Sequence, residues 1–364
     1  MRLLLLLLSV LSVLMSCTSD SNPFGKMNDF DQGPMLENLG NNLIVPAYAE
    51  LSSTAESLKI SAQTYTSAPS VESLGTLRSS LKSVRLAWQY CSPYQFGPAE
   101  SQGLAGLVNI YPVDTFQIKS NIENGDYNLN TLSNADARGF QALGFLLYKP
   151  NLSDSEIVAS LSADEASYIN EIADLIAQVS ASVHNAWSAD GGNYLGTFTS
   201  PDSYGVNVGS SVGKLINAMN LDYERNTRDG KIGIPVGIRS LGDPILHASE
   251  AYYAGYSLEL FKESIQAYYQ LFLGGEDVGF DDYLKGIEAV TTENSDLSDR
   301  ISSQFVSIQN SAEPLKDPLP QQIEDNKEQV QAVFAEMQQL AVLFKTDMAS
   351  QLGVVITYQD NDGD

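Results

Sequence analysis

Four stretches of the chain repeat apolar residues at a spacing of three and four, which places them on one face of an α-helix. The first runs Ile44, Tyr48, Leu51, Ala55, Leu58, Ala62, Tyr65, and the second Leu74, Leu77, Leu81, Val84, Trp88, Cys91. The third is Ile169, Ile172, Ile176, Val179, Val183, Ala186, and the last Val330, Phe334, Met337, Ala341, Phe344, Met348. Only Ala68-Pro69-Ser70 separates the first two, so they are expected as antiparallel neighbours in a bundle. Little of the chain alternates apolar and polar residues as a strand does, and the expected class is all-α.

Glycine and proline punctuate the rest. Ser92-Pro93-Tyr94-Gln95-Phe96-Gly97-Pro98 and Ile110-Tyr111-Pro112-Val113-Asp114 break the helical pattern, and the Asn-rich segment 121–134 reads as a loop. Residues 138–148 form an apolar helix stopped at Lys149-Pro150, and 151–162 read as a linker. Ser162 and Glu165 have capping-box spacing at the start of the third striped helix. Residues 190–205 read as a loop and 207–220 as a helix, whereas 230–237, with Gly230, Gly233, Pro235 and Gly237, are too broken for one. Asp243-Pro244 has the form of a helix start, N-cap then proline, for a helix reaching Leu273. Smaller helices follow over 283–290 and 297–308. Trp88 and Trp187 each stand near a helix end before a broken stretch, which suggests two helical bundles related by duplication. The halves are 43–155 and 156–358, followed by an acidic tail, 359–364.

The N-terminus has another use. Arg2, the apolar run from Leu3 and the sequence Leu14-Met15-Ser16-Cys17 form a short basic region, an apolar region and a lipobox. This predicts a lipoprotein signal peptide over 1–16, lipidation at Cys17 and a tether over 17–42. The protein would then sit on a bacterial cell envelope membrane through that lipid. Cys91 would be the remaining thiol, a small core residue unable to form an intrachain disulfide. The 45 acidic and 20 basic residues leave a net charge of −25, a surface that repels nucleic acid.

Candidate chemistry is sparse. His184 borders a core stripe and reads as structural. His247 and Glu250 have His-x-x-Glu spacing and form a candidate metal pair, though two ligands make an incomplete site. The plain alternative is a surface histidine beside a helix-start acid. Tyr252, Tyr253, Tyr256 and Ser257 are candidates for lining a ligand cleft, with the core as the alternative for some of the tyrosines. Asp360-Asn361-Asp362-Gly363-Asp364 opens like a calcium loop but lacks the downstream Glu. There is no Gly-x-Ser-x-Gly elbow, so nucleophilic hydrolysis has no support.

Taken in order, Asn42-Leu43-Ile44-Val45-Pro46-Ala47-Tyr48, Tyr94-Gln95-Phe96-Gly97-Pro98, Tyr111-Pro112-Val113-Asp114, Arg138-Gly139-Phe140, Lys231-Ile232-Gly233-Ile234-Pro235 and Glu250-Ala251-Tyr252-Tyr253 resemble the imelysin-like family. The resemblance covers about residues 40–364, and the tail from Val354 is similar to that of Bacteroidetes-type members. It implies two duplicated helical bundles in an envelope protein, a peptidase or iron-uptake role, and a site between the halves around a Gly-x-His-x-x-Glu motif. Here Gly139 is kept, but Gln141 stands at the His position and Gly144 at the Glu position. An amide is neither a general base nor a good ligand for zinc or iron. The expectation is therefore an inter-half site of Arg138, Gly139, Gln141, Glu250, Tyr253 and Ser257, binding a small ligand or an envelope protein without catalysis. Iron remains the cofactor the resemblance implies, and a metal-dependent peptidase or a structural envelope protein are the other readings.

Overall fold

The structure, a computed structural model, describes residues 30–358. The expected signal peptide, the lipidation site Cys17 and the tail 359–364 lie outside the described residues. Helix makes up 72% of the chain with no strand, so the class is all-α.

The chain enters on α1 (Gln32–Asn38), passes through a π-helical turn, Leu39–Ile44, and continues as α2 (Val45–Ser67). Next come α3 (Val71–Cys91), α4 (Gly139–Leu147) and α5 (Ala163–Trp187). The stripes of α2, α3 and α5 are buried almost throughout. Ser70 caps α3, and Ser162 caps α5 by accepting the Glu165 N–H at 3.1 Å. The Glu165 carboxylate does not close the capping box but turns to Lys149 at 2.6 Å. Helix α2 packs along both α3 and α5, and α4 packs on α3 and α5. Thus α5, placed by the sequence reading with the C-terminal half, lies in the first bundle. The second bundle holds α6 (Ser211–Asp222), α7 (Ser257–Leu273), α8 (Leu297–Ala312) and α9 (Leu319–Val342). Helix α7 also packs on α3, and one hydrophobic core runs through both bundles.

Four local expectations need correction. Residues 32–42 are not tether: Met35, Leu36 and Leu39 are fully buried, and the Asn38 amide donates to the carbonyls of Gly274 (2.8 Å) and Val278 (2.9 Å). Gly33 and Pro34 disguise this helix, but proline is tolerated in a first turn, where its N–H is not needed. Residues 230–237 are not extended. They continue α6 as a π-helix, Tyr223–Gly233, ending in the turn Ile234–Val236. Most of this segment is buried, so its backbone must satisfy its own hydrogen bonds, and helical bonding does so despite the glycines and proline. Asp243-Pro244 does not start a helix. Leu246–Ala248 is a single 3₁₀ turn, and positive φ at Ala251 (54°) and Gly255 (73°) breaks the chain until α7 starts at Ser257. Finally, the linker and the Asn-rich loop contain short helices, Asp154–Ala159 and Thr115–Asn124.

Candidate functional site

A cleft of about 140 Å³ opens where the bundles meet. Trp88 and Ser92, at the end of α3, and the segment from Ala105 to Tyr111 form one wall; Asp222, Asn226 and Lys231 of the α6–π helix form the other. The 108–111 segment is tied across: the Tyr111 hydroxyl donates to the Asn226 carbonyl at 3.0 Å.

Two carboxylates and two cations are buried around this cleft. Glu250, 1% exposed, pairs with Lys231 at a short contact. Its other oxygen accepts from Asn109 Nδ2 at 2.8 Å and Gln89 Nε2 at 3.4 Å, while Lys231 Nζ also donates to Gln89 Oε1 at 2.8 Å. Burial pushes the Glu250 carboxyl up, but the Lys231 charge, the hydrogen bonds from Lys231 and Asn109, and the more distant Arg85 charge leave it below its ordinary value. Asp222 accepts from Ser92 Oγ, from Tyr268 Oη and from Asn226 Nδ2 at 2.7 Å. Burial raises its pKa against those donors and the charge of Lys231. Three donors converging on two oxygens is the arrangement of an ionised carboxylate.

Arg85 is the second cation, fully buried. It donates to Tyr256 Oη (3.0 Å), Gln141 Oε1 (3.2 Å) and the Phe140 carbonyl, and its Nε–H has no partner. No carboxylate lies within ion-pair distance of it among the described residues. A Cβ on Gly144 would stand 2.9 Å from Arg85 Nη2, so the glycine at the family's Glu position leaves room for the guanidinium. Gln141 is equally committed. Its oxygen accepts from Arg85 and from the Ala251 N–H (3.0 Å), and its amide donates to Asn109 Oδ1 (2.9 Å). It thereby holds the left-handed Ala251 beside Glu250, a conformation that costs an ordinary residue about 1 kcal/mol or more.

The predicted site residues divide. Gln141 and Glu250 belong to this network. Arg138 is a backbone clamp: its guanidinium donates to the carbonyls of Gly106, Leu129 and Thr131 and does not line the cleft. Gly139 is needed for its backbone, with φ 72° and a would-be Cβ 2.4 Å from the Val108 carbonyl oxygen. Ser257 donates to the Glu250 carbonyl, positioning the turn from α7. Tyr253 lies in an aromatic row with Phe145 (5.2 Å) and Tyr252 (5.1 Å), outside the cleft lining. His247 is exposed on the 3₁₀ turn, whereas Glu250 points inward to Lys231, so the helical face that would pair them does not form. Cys91 and Trp88 are core, as expected, with Trp88 also edging the cleft.

Arg85, Gln89, Asn109, Asp222 and Lys231 escaped the sequence reading. Arg85 had a signal. It lies four residues after Leu81 and three before Trp88, hence on the apolar face of α3, where an unexplained charge is informative.

The donor set does not suit a metal ion. No group of three or more His, Cys, Asp or Glu side chains that could hold one occurs among the described residues. The one carboxylate at the motif, Glu250, is neutralised by Lys231, and Arg85 occupies the neighbouring space, so two cations stand where a third would have to enter.

Comparison with known proteins agrees with the fold. The iron-regulated protein A precursor structure from Parabacteroides distasonis ATCC 8503 superposes with TM-score 0.75 at 17% identity, covering 90% of this chain and 97% of that one. An imelysin-like protein from Psychrobacter arcticum 273-4 superposes with TM-score 0.67 at 18% identity, over 92% of this chain and 100% of its own. Iron-regulated protein A of Synechococcus elongatus is 28% identical over 133 residues, 35% of this chain and 36% of that protein, so the match spans about a third of that relative's length. The sequence profile of Peptidase M75, Imelysin, matches residues 44–346, most of the chain, and the protein belongs to the imelysin family.

Proposed function

We propose that this chain is a non-catalytic binding protein of the imelysin family that holds a small polar ligand in the cleft between its bundles. The carrying observation is the occupation of the motif region by the chain's own groups: Gln141 holds Ala251, Gly144 admits Arg85, and Lys231 neutralises Glu250. None of these is free to act as base, nucleophile or metal ligand, whereas the adjacent cleft keeps polar groups of both signs at its wall. The iron link rests on relatives named for regulation by iron and concerns when such a protein is made as readily as what it binds. A lipid on Cys17 would place the protein on the envelope. Radiolabelled palmitate incorporated by the wild type and absent from Cys17→Ser is the expected result, and labelling that survives the substitution would sink the anchor.

The test of the site is calorimetry on residues 18–364 after chelator treatment, titrated with Fe²⁺, Fe³⁺ and Zn²⁺, with His247→Ala as control. No saturable metal binding is expected. Tight one-to-one binding lost in His247→Ala would overturn the proposal and restore the metal-dependent peptidase reading.

A further inference from the structure

Resting on the reading of the cleft as a binding site, we infer that its ligand is a small zwitterion, an ammonium and a carboxylate a few bonds apart, as in an α-amino acid. Size is the first argument. A space of about 140 Å³ is well below the roughly 300–1,000 Å³ of sites for drug-sized ligands, which excludes peptides and siderophore-sized molecules from full burial.

Charge balance is the second. Arg85, Lys231, Asp222 and Glu250 are 0%, 4%, 3% and 1% exposed, two cations and two anions that already cancel. A ligand of net charge would leave one charge uncompensated among desolvated groups, where it is costly; a zwitterion would not.

The third argument is the hydrogen-bonding capacity left at the wall. Lys231 Nζ has three N–H groups and spends two, on Glu250 and Gln89; Asn109 Nδ2 has two and spends one, on Glu250. Both line the cleft and together suit a carboxylate. On the facing side, Asp222 Oδ1 accepts only from Asn226 and keeps a lone pair, and the Asn226 side chain keeps its own oxygen, which together suit an ammonium. Lys231 and Asp222 form no direct ion pair but act on each other through space, so opposite charges border one cavity without closing it.

The experiment titrates residues 18–364 with L-alanine, L-lactate, L-alaninamide and L-lactamide, near-isosteres carrying both charges, the negative one, the positive one and neither. Alanine is expected to bind at least about tenfold more tightly than each of the other three. In Asp222→Asn that preference should move toward lactate. Asn226→Ala, a smaller change on the exposed rim, should weaken alanine and alaninamide more than lactate. Lactate or lactamide binding the wild type as tightly as alanine would overturn the ligand class while leaving the cleft as a binding site. Absence of saturable heat with all four would overturn both the class and the site.

Discussion

At the scale of single residues, the departures from the family motif are accounted for by what replaces them. Gly144 is small because Arg85 needs its space, so Gly144→Ala should cost about 1–3 kcal/mol in urea unfolding as the guanidinium is displaced. An unchanged midpoint would show that Arg85 moves aside freely. Gly139→Ala should cost more, since its obstacle is the Val108 backbone and its φ is positive. Gln141→Ala would free Arg85, Asn109 and the Ala251 N–H at once, and about 1–3 kcal/mol is expected for each buried group left unpaired. These roles were invisible in the sequence because each depends on a partner more than thirty residues away.

At the scale of elements, the π-helical continuation of α6 matters most. It carries Asn226 and Lys231 into the cleft and places Gly230 against Tyr111, with a would-be Cβ 2.8 Å from the tyrosine oxygen. Gly230→Ala should therefore break the Tyr111–Asn226 tie and raise amide hydrogen exchange around 108–112 and 226–231, while α2 and α5 remain protected. Protection unchanged in both segments would mean that the tie does not close the cleft. The stripes of α2, α3 and α5 were legible in the sequence because each long helix must bury one face. The π-helix was not, because buried on nearly every side it has no such periodicity.

At the scale of the whole molecule, two stability predictions follow from burial. Residues 32–42 contribute three fully buried apolar side chains, each about 1.5–3 kcal/mol, against a total stability of about 5–15 kcal/mol. A chain beginning at residue 43 should thus be largely unfolded by circular dichroism, whereas one beginning at residue 30 should fold. The second concerns acid. Glu250 titrates below its ordinary range in the folded protein, so the stability it contributes is present above the unfolded value of about 4.3 and is lost as pH falls through the folded value. Asp222 titrates above its ordinary range, so its contribution has the opposite sign and declines as pH rises from about 3.9 toward the folded value. Glu250→Gln should flatten the acid limb of the stability curve. Because it leaves Lys231 buried without its partner, it should also cost about 3–5 kcal/mol, part of which Lys231→Met in the same chain restores. An acid limb of unchanged slope in Glu250→Gln would show that Glu250 does not carry it.

The sequence by itself determined the all-α class, the long striped helices and the family, since apolar periodicity and short ordered motifs are local properties of the chain. It also pointed to Gln141 and Glu250 as neighbours across the halves, through the resemblance. Only the tertiary structure decided what those residues do. Whether Glu250 meets His247 or Lys231 depends on a left-handed turn at Ala251, and whether Gly144 is a gap or a seat depends on where α3 carries Arg85. Buried charges are settled by partners that packing brings from distant parts of the chain, because only there is their lost hydration replaced.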